Sequence, residues 1–177
     1  FTQNTSALKK MATWNYQAIL LCAIPVVDGL LPEPYNSDIL DFLFTLANWH
    51  SLAKLKLHTE TTVGLLDTAT TELGRLLRRF KKRTCPDFET KELPSEEAAR
   101  GRRQARKAAK GGKGKGKANT GPKKKEYSLL TYKLHSLGDY VISILWFGTT
   151  DSYSTQPTSP IRALSFFLLA DHICRVN

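Results

Sequence analysis

Apolar residues recur at helical spacing in four stretches of this chain, and polar stretches separate them. In the last stretch Leu130, Leu134, Leu137, Val141, Ile144 and Leu145 recur at spacings of three and four, which puts them on one face of a helix over 131–147. Gly148 follows Trp146 and Phe147 where a left-handed C-cap belongs, because glycine takes positive φ without a Cβ penalty. Beyond it Thr149, Thr150, Asp151, Ser152, Ser154 and Thr155 are short polar residues that favour a turn.

The same reading predicts three earlier helices. One runs over 7–24, with Ser6 as N-cap, Trp14, Ala18, Leu21 and Cys22 on its inner face, and Pro25 ending or kinking it. The next runs over 37–57 from a cap at Asn36 or Ser37. Ile39, Leu40, Phe42, Leu43, Leu46, Trp49 and Leu52 make its apolar face, extended by Ala53, Leu55 and Leu57, and Asp38 and Asp41 suit its first turns. The third runs over 60–83 from a Thr59 cap, with Val63, Leu65, Leu66, Ala69, Leu73, Leu76, Leu77 and Phe80 inward and Pro86 as its stop. Its last turn carries Arg78, Arg79, Lys81, Lys82 and Arg83, the sign that suits a helix C-terminus. The short joint at His58-Thr59 favours an antiparallel pair. Ser95 is read as the cap of a further helix with Glu96 and Glu97 in its first turn, rich in Ala, Arg and Lys but without an apolar stripe. No stretch alternates as a strand would. The expected fold is all-α, a helical bundle with a disordered basic Lys/Gly-rich arm.

Several blocks carry a resemblance. Lys133-Leu134-His135-Ser136-Leu137, Asp139-Tyr140 and Phe147-Gly148-Thr149-Thr150-Asp151-Ser152-Tyr153-Ser154-Thr155-Gln156 resemble the C-terminal part of fungal Plavaka-type transposases, CACTA-like cut-and-paste DNA elements. Cys22-Ala23-Ile24-Pro25, Gly29-Leu30-Leu31-Pro32-Glu33-Pro34 and Leu57-His58-Thr59-Glu60-Thr61-Thr62 fit the same family upstream. The similarity runs over about 7–156, loosest in the basic segment. It implies a transposase-derived fragment, with DNA and other transposase chains as partners. After Gln156 it stops where a Glu-rich, His- and Arg-containing segment is expected, and an apolar tail with Leu164, Phe166, Phe167, Leu168 and Leu169 follows instead. A foreign tail is the expectation. The organisation read from these shifts is a first bundle part over 1–92, a basic helix and linker over 93–126, a final core helix and polar loop over 127–156, and the divergent tail over 157–177.

Charge sharpens this picture. The chain has 177 residues and a formal net charge of +10. Twelve of its 26 basic residues fall in 100–125, where there is no acid, leaving fourteen against sixteen acids elsewhere. They are Arg100, Arg102, Arg103, Arg106, Lys107, Lys110, Lys113, Lys115, Lys117, Lys123, Lys124 and Lys125. Such a segment neutralises phosphates and releases counterions, so salt-sensitive, sequence-blind contact with DNA or RNA is expected of these twelve. No aromatic residue is interleaved, which argues against base stacking. The glycines and lysines of 111–125 have nothing to bury and are expected to be disordered. The alternative is a helical protein-interaction module whose arm is a linker or a nuclear localisation signal, which Lys123-Lys124-Lys125 suits.

Other chemistry is sparse. Cys22, Cys85 and Cys174 form no Cys-x-x-Cys pair, so neither a zinc knuckle nor a disulfide framework is indicated, and reduced thiols in a nuclear or cytoplasmic, intracellular protein are expected. The apolar runs at 18–27 and 161–176 are shorter than the roughly 20 residues that span a bilayer, so no membrane partner is expected. The chain begins at Phe1 rather than methionine, as a fragment or an incomplete reading frame would. Ribonuclease-H-like transposases hold two metal ions with carboxylates. Asp139 and Asp151 are the acids in the best-matched block, where helix solubility and an Asx-type cap are the simpler roles. The expected downstream acid is missing, so no catalytic residue, metal ligand or cofactor is assigned. His50, His58, His135 and His172 lack metal-ligand spacing, and there is neither a Gly-x-Ser-x-Gly elbow nor a phosphate-binding P-loop. No small-molecule ligand is indicated.

Overall fold

A computed structural model describes residues 13–109 and 121–150. The fold is all-α: α1 (Thr13–Val27), α2 (Tyr35–Ala53), α3 (Glu60–Asp87), α4 (Pro94–Ala109), the short α5 (Tyr132–His135), a 3-10 turn (Ser136–Asp139) and α6 (Tyr140–Phe147). There is no strand among the described residues, only an isolated antiparallel bridge between Lys91 and Lys124.

α2 and α3 form the main seam, and α1 and α6 pack against it. The seam is antiparallel, because partners run in opposite order along the two helices. Tyr35 Oη donates to Asp87, Asp38 pairs with Arg79, Phe42 stacks on Phe80 at 6.3 Å, and Trp49 Nε1 donates to Thr70 Oγ1 at 2.8 Å. Leu66, Leu73, Phe42, Leu43, Leu46 and Trp49 are almost wholly buried there. Thr59 caps α3 in a reciprocal box with Thr62: Thr59 N donates to Thr62 Oγ1 at 2.8 Å, and Thr62 N to Thr59 Oγ1 at 3.3 Å.

Several local expectations are corrected. α1 buries Tyr16, Leu20, Ala23 and Val27, while Leu21 and Cys22 face outward. A helix that is apolar on most of its circumference leaves its inner face undetermined by spacing alone. Pro25 lies exposed within the last turn instead of ending the helix. α2 starts at Tyr35, ahead of both expected caps, and the Glu33 carboxylate reaches its first turn, accepting from Ser37 Oγ at 2.8 Å and Ser37 N at 3.3 Å. Asn36 turns inward and accepts from Gly29 N at 2.9 Å, in a bend where Gly29 has a φ of 78°. α2 ends at Ala53, so Leu57 lies outside it and is exposed.

The expected last helix is broken. A 3-10 turn separates α5 from α6, yet Leu137 and Ile144 are buried, Leu134 and Val141 pack against the core, and Leu130 and Leu145 are exposed. Gly148 ends α6 with the expected positive φ, 84°, but its ψ of -161° lies outside the left-handed helical region, and its N donates to Ile144 O at 3.0 Å. Thr150, 2% exposed, donates its Oγ1 to Ala53 O at 3.0 Å, so the turn after α6 satisfies a carbonyl at the end of α2.

Replacing Phe80 with Ala should cost about 3–5 kcal/mol in a urea titration, because it opens a void beneath Phe42 and Tyr127. Leu65→Ala, on the exposed side of the same helix, should shift stability by less than about 0.5 kcal/mol.

His50 is buried in α2, and its Nε2 has no hydrogen-bond partner among the described residues. Burial, aided by the Lys54 charge, lowers its pKa to about 4. The unfolded chain binds this proton first, near pH 6.5. Stability from neutral His50 is therefore whole above about pH 6.5 and is lost as the pH falls towards 4. The urea midpoint should drop across that window, and His50→Gln should flatten the drop whatever its effect on overall stability.

Candidate nucleic-acid interface

α4 begins at Pro94, the first-turn position where a missing N–H costs nothing. Its cap is not Ser95. Leu93 O accepts from Glu96 N and Glu97 N, and the Glu96 side chain reaches back to Leu93 N at 3.0 Å. None of the described α4 side chains is fully buried, as expected of a helix without an apolar stripe. Arg102, Arg103, Arg106 and Lys107 are all exposed, and at 3.6 residues per turn they lie within about 140° of arc. No acid follows Glu97 in this helix. α4 therefore presents one uninterrupted basic face.

Arg100 has another task. Its Nη2 lies 2.9 Å from Glu92 Oε2 and donates to Gly121 O at 2.7 Å. Side chains here are 13% (Arg100) and 11% (Glu92) exposed, so this guanidinium is spent on the protein rather than offered to a phosphate. Glu92 Oε2 also accepts from Lys123 N at 3.1 Å. Burial pushes the Glu92 carboxyl up, but the Arg100 guanidinium, the Lys123 amide and the Lys125 charge outweigh it and hold it below the usual carboxylate range.

The backbone completes a clasp. Glu92 N donates to Lys123 O at 2.8 Å, Lys125 N to Thr90 O at 2.9 Å, and Thr90 Oγ1 to Lys125 O at 2.7 Å. Lys125 Nζ lies 3.1 Å from Glu96 Oε1. Residues 121–125 were expected in the disordered arm, but they are tied to 90–92. Their polar pairings carry no periodic signal, so apolar spacing does not reveal them. Arg100 and Gly121, on either side of residues 110–120, thus meet.

Of the twelve expected contacts, Arg102, Arg103, Arg106 and Lys107 share the α4 face, and Lys123 and Lys124 are exposed at the clasp. Arg100 and Lys125 are engaged with Glu92 and Glu96. Lys110, Lys113, Lys115 and Lys117 lie outside the described residues. Sequence reasoning missed Lys81 and Lys82, read there only as dipole charges. Both are exposed, and Lys81 shares a cleft of about 410 Å³ with Lys124 and Lys125. The i, i+3, i+4 spacing of Arg78, Lys81 and Lys82 was the available signal.

No metal-binding group of three His, Cys, Asp or Glu occurs among the described residues. Asp139 stands exposed at the start of α6 and makes no side-chain cap bond, and Asp151, His172 and Cys174 lie outside the described residues. No helix of the described residues is long and apolar enough to cross a membrane.

Glu92→Gln keeps the shape of the clasp and removes its charge. The amides of Glu92, Lys123 and Lys125 should then exchange hydrogen several-fold faster, while Leu73 and Phe80 keep their protection, as read by amide exchange with mass spectrometry.

Comparison with known proteins finds no matching family model, no matching curated protein and no matching solved structure.

Proposed function

We propose that this chain is a transposase-derived helical module, without strand-transfer activity of its own, that contacts nucleic acid through α4 and the basic residues that follow it in the sequence. The observation that carries the nucleic-acid reading is the basic face of α4. Arg102, Arg103, Arg106 and Lys107 are exposed together on a helix none of whose described side chains is fully buried. Affinity of this kind comes from counterion release and ignores sequence. The family lineage rests on the residue blocks quoted above. Of the Phe147 to Gln156 block, the described part caps α6 and α2, which supports a structural use of those residues. A longer transposase frame between inverted repeats in the flanking genome tests that lineage.

A second reading, a protein-interaction module, is favoured by one observation. Ile142, Leu145, Trp146 and Phe147 of α6 are each more than half exposed. Salt separates the two, since apolar contact survives a rise in ionic strength that dissolves phosphate contact.

Electrophoretic shift over a salt series tests the first reading. Replacing Arg102, Arg103, Arg106 and Lys107 with Gln keeps helix propensity and should lower the slope of log affinity against log salt by about 3 to 4. An unchanged slope overturns the assignment of this face. Binding that resists salt and is lost with Trp146→Ser supports the interaction module instead.

A further inference from the structure

The cleft at the end of α3 has a composition that plain phosphate neutralisation does not use. One wall is the last turns of α3, with Lys81 and half-buried Cys85. The chain returning from the clasp contributes Lys124, Tyr127 and Leu130, and Phe88 also lines the cleft. At about 410 Å³ it falls within the range of small-ligand sites. Neither Lys81 nor Lys124 has a carboxylate within ion-pair distance among the described residues, and Lys125 is engaged with Glu96. One acid, Glu126, also lines the cleft. The site therefore offers two ammonium groups beside an apolar, partly aromatic wall.

We infer that this cleft is a nucleotide subsite, which takes one unpaired nucleotide of a bound strand with its phosphate on Lys81 and Lys124 and its base against Phe88 and Leu130. The inference rests on the nucleic-acid reading above and narrows it to strands with an accessible base. Continuity favours a nucleotide over an acidic peptide. Lys124 and Lys125 are the last residues of the basic segment, and Lys125 joins the cleft to the first turn of α4 through Glu96. A strand on the α4 face is thereby led towards the cleft. A carboxylate side chain would satisfy the two lysines but would leave the apolar wall unused. The basic segment holds no aromatic side chain; the fold supplies Phe88 from the chain just before it.

The test uses the full chain with a labelled oligothymidylate and a duplex of the same length. Wild type should bind the single strand more tightly. Lys81→Gln with Lys124→Gln, and separately Leu130→Ser, should each weaken single-strand binding about tenfold and duplex binding much less. Lys81, Lys124 and Leu130 are all exposed, so these variants keep the fold. Cys85 gives a second readout: oligothymidylate should slow its alkylation by N-ethylmaleimide, with peptide mapping to separate it from exposed Cys22. If the cleft variants bind both probes like wild type while the α4 Gln variant does not, the subsite is overturned and the nucleic-acid reading stands. Equal loss on both probes from the lysine pair, with no effect of Leu130→Ser, also overturns it, leaving a patch of charge. If wild type binds neither probe, both readings fail.

Discussion

Everything described in this fold depends on the antiparallel seam between α2 and α3. Each half of that seam has an aromatic residue that also holds the chain after the basic loop. Phe80 stacks on Phe42 within the seam and takes the edge of Tyr127 at 5.6 Å and 90°. Trp49 bonds Thr70 across the seam and meets Tyr140 at 4.9 Å. The returning segment contributes few buried residues of its own: Tyr127, Leu137, Ile144 and Thr150. It is held because α2 and α3 present an apolar surface to it. Burial of about 25 cal/mol per Å² of apolar area makes such a surface the dominant driving term.

Buried polar groups set the register of the seam. Asp38, 4% exposed, lies against Arg79, with Arg83 at 3.7 Å. A buried carboxylate without a cation would be costly, so sliding the helices by a turn is penalised at this point even where apolar contacts could re-form. Trp49 to Thr70 acts similarly at the other end. Thr70 Oγ1 in turn donates to Leu66 O at 2.7 Å, so its hydroxyl both accepts and donates.

How much of this was legible depended on periodicity. The inner stripe of α3 was readable, because Leu66, Ala69, Leu73, Leu76, Leu77 and Phe80 stand against polar neighbours and Thr59 announces its cap. But Leu65, read as inward, is exposed, and Pro86, read as the stop, lies inside a helix that runs on to Asp87. The middle of the last stretch was readable for the same reason, as was the positive φ at Gly148. α1 was legible as a helix but not in its orientation, since its outward positions are as apolar as its inward ones. The clasp escaped, because Arg100, Glu92 and the carbonyl of Gly121 meet through hydrogen bonds between positions far apart in the chain. Composition showed a basic segment and could not show that one of its arginines faces inward. The cleft escaped too, since its walls come from α3 and from residues beyond the loop.

The meeting of Arg100 with Gly121 separates the chain length between them from the energetics of the bundle. For a chain pinned at two points, closure entropy rises slowly with the number of residues enclosed, by about 0.6 kcal/mol for each doubling. Residues added between Ala109 and Gly121 should therefore be borne more lightly than residues added within α2 or α3, where each one rotates the inner stripe by about 100°. A designer could graft a foreign peptide between Ala109 and Gly121 and expect the host scaffold to carry it.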